Sequence, residues 1–172
     1  MQFTVIQGDI AQQSADVLVN AAGTSLRMGS GVAGALRRAG GKQLNQDAMR
    51  KGPVDLGDAA VTDAHDLDAD WVIHAAAMPH YGDGKATAES IADATRNTLE
   101  MGDELGAESL VIPALGCGVA GFDLEEGGRI ICEVIHNYDP DSLSDVRVIA
   151  YSDEEYETLK AVSESVQSDF TG

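Results

Sequence analysis

Apolar and polar positions fall into short blocks whose period switches repeatedly along the chain. Phe3-Thr4-Val5-Ile6-Gln7 and Asp16-Val17-Leu18-Val19-Asn20 are brief apolar runs bounded by polar residues and read as strands. Residues 32–39 form a helix of small residues, stopped at Gly40-Gly41. Leu44, Ala48 and Met49 place a second helix over residues 43–51. Residues 58–62 and Trp71-Val72-Ile73-His74-Ala75 read as strands on either side of a polar turn at residues 66–70. The clearest helix is residues 86–105, where Ile91, Ala94, Thr98, Leu99, Met101 and Leu105 recur at helical spacing. Leu110-Val111-Ile112-Pro113 is a buried strand ended by its proline. Asp123 caps a helix running through His136, with Ile130, Ile131, Val134 and Ile135 inward. Val146-Arg147-Val148-Ile149-Ala150-Tyr151 is the last strand. A final helix follows from Ser152 to about Ser168, with Asp153, Glu154 and Glu155 where acids suit the helix dipole. Strand and helix alternate throughout, which predicts a layered α/β domain. No repeat or linker divides the 172 residues, so one domain over residues 1–172 is expected.

Composition narrows the class. The formal net charge is −18, with 29 acids against 11 Lys and Arg. That field repels polyanions, so general nucleic-acid binding is not expected. Eighteen aspartates against four lysines fit a protein that stays hydrated in concentrated salt, a halophile signature. No long apolar run suggests a membrane span, and Met1-Gln2-Phe3-Thr4 lacks the basic start of a signal peptide, so a cytoplasmic location is expected. Cys117 and Cys132 do not make a disulfide framework, and Cys132 reads as a small core residue. Neither CxxC nor HxxxH spacing occurs, so no metal site and no cofactor are expected.

Two loops carry chemistry. Arg27-Met28-Gly29-Ser30-Gly31-Val32-Ala33-Gly34 opens a helix, and Leu115-Gly116-Cys117-Gly118-Val119-Ala120-Gly121-Phe122 joins a strand to a helix. Glycines let backbone approach a phosphate, and successive N–H groups make a concave anion site. Two such loops suit a diphosphate clasped from both sides without lysine. Neither loop matches the P-loop pattern GxxxxGK[ST]. Gly116-x-Gly118-x-x-Gly121 has dinucleotide-fingerprint spacing, but it lies late in the chain without the βαβ unit and acid that a nicotinamide site requires.

The order of motifs resembles the macrodomain family. The matching residues are Gly8-Asp9-Ile10, Val19-Asn20-Ala21-Ala22, Gly29-Ser30-Gly31-Val32-Ala33, Ala39-Gly40-Gly41, Gly57-Asp58-Ala59, Val72-Ile73-His74, Ile112-Pro113-Ala114 and Gly116 to Phe122. The resemblance implies a three-layer α/β/α sandwich around a mixed, mostly parallel sheet. It also implies ADP-ribose, free or attached to a protein or nucleic acid, in a cleft at the strand ends of a monomer. By that likeness Asp9 accepts from the adenine amino group, Ile10 lines the base and Tyr151 stacks on it. Asn20, Ala22 and Gly23 lie near the distal ribose. Gly29, Ser30, Gly31 and Val32 form the first loop, and Gly116, Cys117, Gly118, Val119, Ala120, Gly121 and Phe122 the second. His74 reads as a satisfied buried histidine.

The departures from the family bear on catalysis. Hydrolysing members often carry NAAN, whereas this chain has Asn20-Ala21-Ala22-Gly23. An acid that one hydrolase class places after Gly-Val is Ala33 here, and a histidine of viral members is Met28. The second loop has Ala120 where many members have an aromatic and a lysine–aspartate class has its aspartate. His80 and Asp83 are the remaining acid–base candidates. Three readings stay open: a slow hydrolase of ADP-ribosyl or O-acetyl-ADP-ribose bonds, a reader without catalysis, and a binder of adenine-ended RNA or poly(A).

Overall fold

The computed structural model describes residues 1–80, 84–117 and 121–169. Its elements follow the predicted order: β1 (Thr4–Gln7), a 3-10 turn (Ile10–Gln12), β2 (Val17–Gly23), α1 (Gly31–Gly40), α2 (Lys42–Lys51), β3 (Ala59–Asp63), β4 (Trp71–Met78), α3 (Ala88–Glu104), β5 (Ser109–Pro113), α4 (Leu124–Asn137), β6 (Asp145–Ala150) and α5 (Asp153–Asp169). The strands form a sheet in the order β1-β6-β5-β2-β4-β3, parallel except for the antiparallel β3–β4 pair.

Both faces of the sheet are covered, which explains why the central strands read as continuous apolar runs. On one face Val17, Val19, Ile73 and Ile112 pack with Ile91 and Leu99 of α3, Ile131 and Ile135 of α4, and Leu159 and Val162 of α5. On the other, Leu18, Val72 and Val111 pack with Leu36 of α1 and Leu44 and Ala48 of α2. The result is the three-layer α/β/α sandwich with a mixed, mostly parallel sheet. Among the described residues no helix is long and apolar enough to cross a membrane.

Element ends differ from the sequence reading in two instructive places. β2 runs on through Ala21, Ala22 and Gly23, and β4 through Ala76, Ala77 and Met78. Alanine and glycine are poor strand formers in isolation, yet here they pair in register, Ala21 with Ala75 and Ala22 with Ala76. Tertiary pairing overrides propensity and carries both strands to the edge where the glycine-rich loops begin.

Candidate functional site

Five parallel strands, β1, β6, β5, β2 and β4, end on the same edge of the sheet. The two glycine-rich loops follow β2 and β5, which are neighbours. Their pairing covers only Val17 with Leu110 and Leu18 with Val111. Beyond that point β2 pairs with β4 as far as Gly23 and Met78, while β5 pairs with β6 as far as Pro113 and Ile149. The sheet therefore splits between β2 and β5 at its C-terminal edge. The chain also leaves in opposite directions there. β2 leads into α1 on one face, and β5 leads into α4 on the other. A crevice outside the carboxyl ends of strands, where the winding direction reverses, is the usual ligand position in open α/β sheets. Residues 24–30 on one side and 114–117 with 121–123 on the other flank it.

The first loop is held from behind. Leu26 and Met28 are fully buried in the α1–α2 core. The Met28 amide donates to Asn45 Oδ1 at 2.9 Å, and Arg37 Nη1 donates to the Met28 carbonyl at 3.0 Å. Arg27, Gly29, Ser30 and Gly31 are left exposed on the outer side. Ser30 occupies the N-cap position of α1 without a side-chain capping bond, Gly31 opens the helix, and Val32 is half-buried. The loop thus presents backbone outward, and Met28 is a core residue.

The second loop begins with Gly116 at φ 76°, where a Cβ would lie 2.8 Å from Ala86 Cβ. Glycine is required by both conformation and space. The Phe122 amide donates to the Gly116 carbonyl at 3.2 Å, closing the loop at its base. Phe122 is half-buried and packs against the larger core. Cys117 Sγ lies 3.6 Å from the Leu115 carbonyl, and burial together with the nearby Asp123 and Glu155 pushes its thiol up to about 11. It is protonated at neutral pH and unsuited to nucleophilic attack. Gly118, Val119 and Ala120 lie outside the described residues, as does Asp83.

At the β1 end, Asp9 caps the 3-10 turn, its Oδ1 accepting from the Ala11 amide at 2.9 Å. Ile10 beside it is 4 % exposed. The Gly8 amide donates to the Ala150 carbonyl at 2.9 Å, tying this turn to the end of β6, where Tyr151 stands 74 % exposed. Asp9, Ile10 and Tyr151 therefore share one end of the strand edge.

Asn20 and His74 are fully buried side by side on β2 and β4. Asn20 Nδ2 lies 3.0 Å from His74 Nδ1, and His74 Nε2 lies 3.0 Å from Thr62 Oγ1. With the amide donating, the ring accepts at Nδ1 and carries its proton on Nε2. Burial pulls His74 down to about 4, so the ring is neutral at pH 7. Asn20 Oδ1 has no partner among the described residues. Asn20 thus faces the α1–α2 side of the sheet rather than opening onto the crevice. Ala22 is buried, and Gly23 packs against the loop after β4: a Cβ there would lie 3.0 Å from the Pro79 carbonyl. His80 is exposed, its amide donating to Thr24 Oγ1 at 3.0 Å. No cluster suited to a metal occurs among the described residues.

Sequence reasoning missed Asn45, Arg37 and Thr24, the residues that set the loop positions. Asn45 left a faint trace as a polar residue beside Leu44 on the buried face of a short helix.

Comparison with known proteins places this architecture. The Macro domain family model matches residues 19–131. An uncharacterized protein of Mycobacterium tuberculosis is 40 % identical over 153 residues, covering 89 % of this chain but only 42 % of that protein. The chain thus spans less than half the length of that relative. An uncharacterized protein of Sulfolobus acidocaldarius is 39 % identical over 167 residues, covering 94 % of this chain and 90 % of the other. Among solved structures, a mutant Oceanobacillus iheyensis macrodomain with ADPR superposes with a TM-score of 0.83 at 24 % identity, over 97 % of this chain and 92 % of that one. A family model that takes in most of the sheet, and a relative matched almost end to end, lead to one conclusion: the chain belongs to the Macro domain family.

Proposed function

We propose that this protein binds ADP-ribose, free or carried by a protein or nucleic acid, and acts as a reader rather than as an efficient hydrolase. The observation that carries the reading is the split between β2 and β5, flanked by a glycine-rich loop on each side. Its two walls supply backbone N–H groups and helix starts, the donors a diphosphate takes when side-chain cations are scarce. Asp9 and Tyr151 at the β1–β6 end suit adenine. A carboxylate accepts from the exocyclic amino group, and an exposed ring offers a stacking face. The solved structure of the Oceanobacillus iheyensis macrodomain mutant with ADPR supports the same ligand class.

The reader assignment rests on what stands at the reacting end. Gly23 and Ala33 carry no acid–base group, Met28 is buried, and His74 is neutral and enclosed. General acid–base help is worth about 10²–10⁴ in rate, and none of Gly23, Ala33 and Met28 can supply it. Titration calorimetry tests the binding. ADP-ribose binds, and Asp9→Ala weakens it by about 1–3 kcal/mol, the range for losing a charged hydrogen bond. Asp9→Asn keeps an oxygen to cap the Ala11 amide and separates base recognition from turn stability. Absence of ADP-ribose binding by the unaltered protein overturns the proposal. Efficient turnover of mono-ADP-ribosylated protein, ADP-ribosylated DNA or O-acetyl-ADP-ribose overturns its reader half.

A further inference from the structure

The loop after β4 braces both walls of the crevice. At its start, the His80 amide bonds Thr24 and the Pro79 carbonyl packs against Gly23. At its end, Ala86 packs against Gly116, and the stem of Lys85 lies across Gly121. A Cβ on Gly121 would sit 3.1 Å from Lys85 Cδ and 3.3 Å from Cε. Gly121 has φ 81°, so the absence of a side chain there serves the backbone turn and also clears a seat for the lysine stem.

Resting on the ADP-ribose reading above, we infer that Lys85 is a specificity-determining residue of this site, its ammonium supplying the side-chain positive charge to the ligand diphosphate. Three observations converge. Lys85 is one of four lysines in a chain of net charge −18. Like the other three lysines it forms no ion pair with any described residue, so no carboxylate holds its ammonium. Its aliphatic stem is packed on a glycine of the second loop, which limits where the charged end can go. A lysine is a compact point charge with three donors, suited to a phosphate oxygen. The strand order separates Lys85 from the residues proposed for the adenine. Asp9 and Tyr151 are at the β1–β6 end, whereas Lys85 follows β4 and leans on the loop from β5. The adenine half lies away from it.

Lys85→Met keeps the stem and removes the charge, which separates packing from electrostatics. Lys160→Met, on α5 where the ammonium sits over the Tyr156 ring, makes the same change in net charge elsewhere. The experiment is calorimetric titration of the parent, these two variants and Lys85→Arg with ADP-ribose and with adenosine in low salt, with melting curves alongside. Lys85→Met is expected to melt like the parent and to bind ADP-ribose about tenfold more weakly, the effect of losing one charge-assisted hydrogen bond. Adenosine, which has no phosphate, is expected to bind parent and variant alike, and Lys85→Arg to recover much of the affinity. ADP-ribose binding by Lys85→Met as tight as the parent's overturns the inference. So does an equal loss in Lys160→Met, because the cause is then the overall field. Failure of the unaltered protein to bind ADP-ribose sinks the functional reading instead, so the two failures are distinct.

Discussion

Asn45 shows how a single buried amide can hold a loop it does not belong to. Its side chain is 9 % exposed, and its Oδ1 accepts from the Met28 amide two residues before Ser30. A buried N–H left without an acceptor costs about 1–3 kcal/mol. Asn45→Ala is therefore expected to lower unfolding free energy by that amount in urea melts. It is also expected to weaken ADP-ribose binding more than adenosine binding, because the proposed site assigns the freed loop to the phosphates. Asn45→Asp keeps the acceptor and should recover most of the stability. Equal loss for both ligands would detach Asn45 from the phosphate loop. At this scale the sequence was legible where a residue acts through its own type. Gly116, with φ 76° and no space for a Cβ, is one case, and His74, enclosed with partners on both ring nitrogens, is another. Residues acting through tertiary position were not legible. Nothing in the local pattern tells that Asn45 meets Met28 or that Lys85 crosses Gly121.

Helix α3 carries a concentrated polar anchor. Asp103 lies in its last turn, where the helix dipole disfavours a carboxylate. The connection from α4 to β6 folds over it to compensate. Tyr138 Oη, Ser142 Oγ and the amides of Asp141, Ser142 and Leu143 all donate to this one carboxylate. Burial opposes ionisation, but the bonds from Tyr138 and the three amides outweigh it and hold the group at about 2, against 3.8 for a model aspartate. A depressed folded value means that the unfolded chain binds the proton first as pH falls. The stabilisation is complete above pH 3.8 and disappears as pH drops through about 2. A shift of this size corresponds to about 2 kcal/mol at most, less for solvent screening. Asp103→Asn should remove that amount at pH 7 in chemical denaturation, with the gap to the parent closing between pH 4 and pH 2. A gap independent of pH would show that packing, not ionisation, anchors the loop. Element types and order were readable because buried and capped segments announce themselves through period and boundary residues. The alanine-rich ends of β2 and β4 were not, since only pairing makes strands of them. The split between β2 and β5 is a property of strand order and has no sequence signature of its own.

For the whole molecule, charge decides the conditions under which all of this works. A 172-residue domain has a radius of gyration of about 16 Å. The screening length is about 10 Å at 0.1 M salt and about 3 Å at 1 M. At low salt the 29 acids therefore repel one another across much of the fold, and at molar salt only close neighbours do. We propose the acidity as an adaptation to concentrated salt, which makes stability rise with salt through screening. The melting temperature is expected to climb between 0.1 M and 2 M KCl, each 1 kcal/mol of relieved repulsion raising it by about 2–4 °C. Preferential exclusion of salt also raises melting temperatures, so a charge variant is needed to separate the causes. Asp66, Asp68 and Asp70 are three exposed acids within one turn before β4. Replacing all three with Asn should raise the melting temperature at 0.1 M KCl, and parent and variant should converge at 2 M. A constant offset at both salt concentrations would assign the effect to exclusion. A parent melting temperature that stays flat with KCl would remove the halophilic reading. The same screening acts on the ligand in two opposing ways. Salt weakens the long-range repulsion between an anionic protein and an anionic diphosphate, but it also weakens the local pull of Lys85. Backbone amides of the two loops, in the proposed site, would act at contact distance and be the least affected. In molar salt they should carry nearly all the phosphate recognition, and the penalty for Lys85→Met should shrink accordingly.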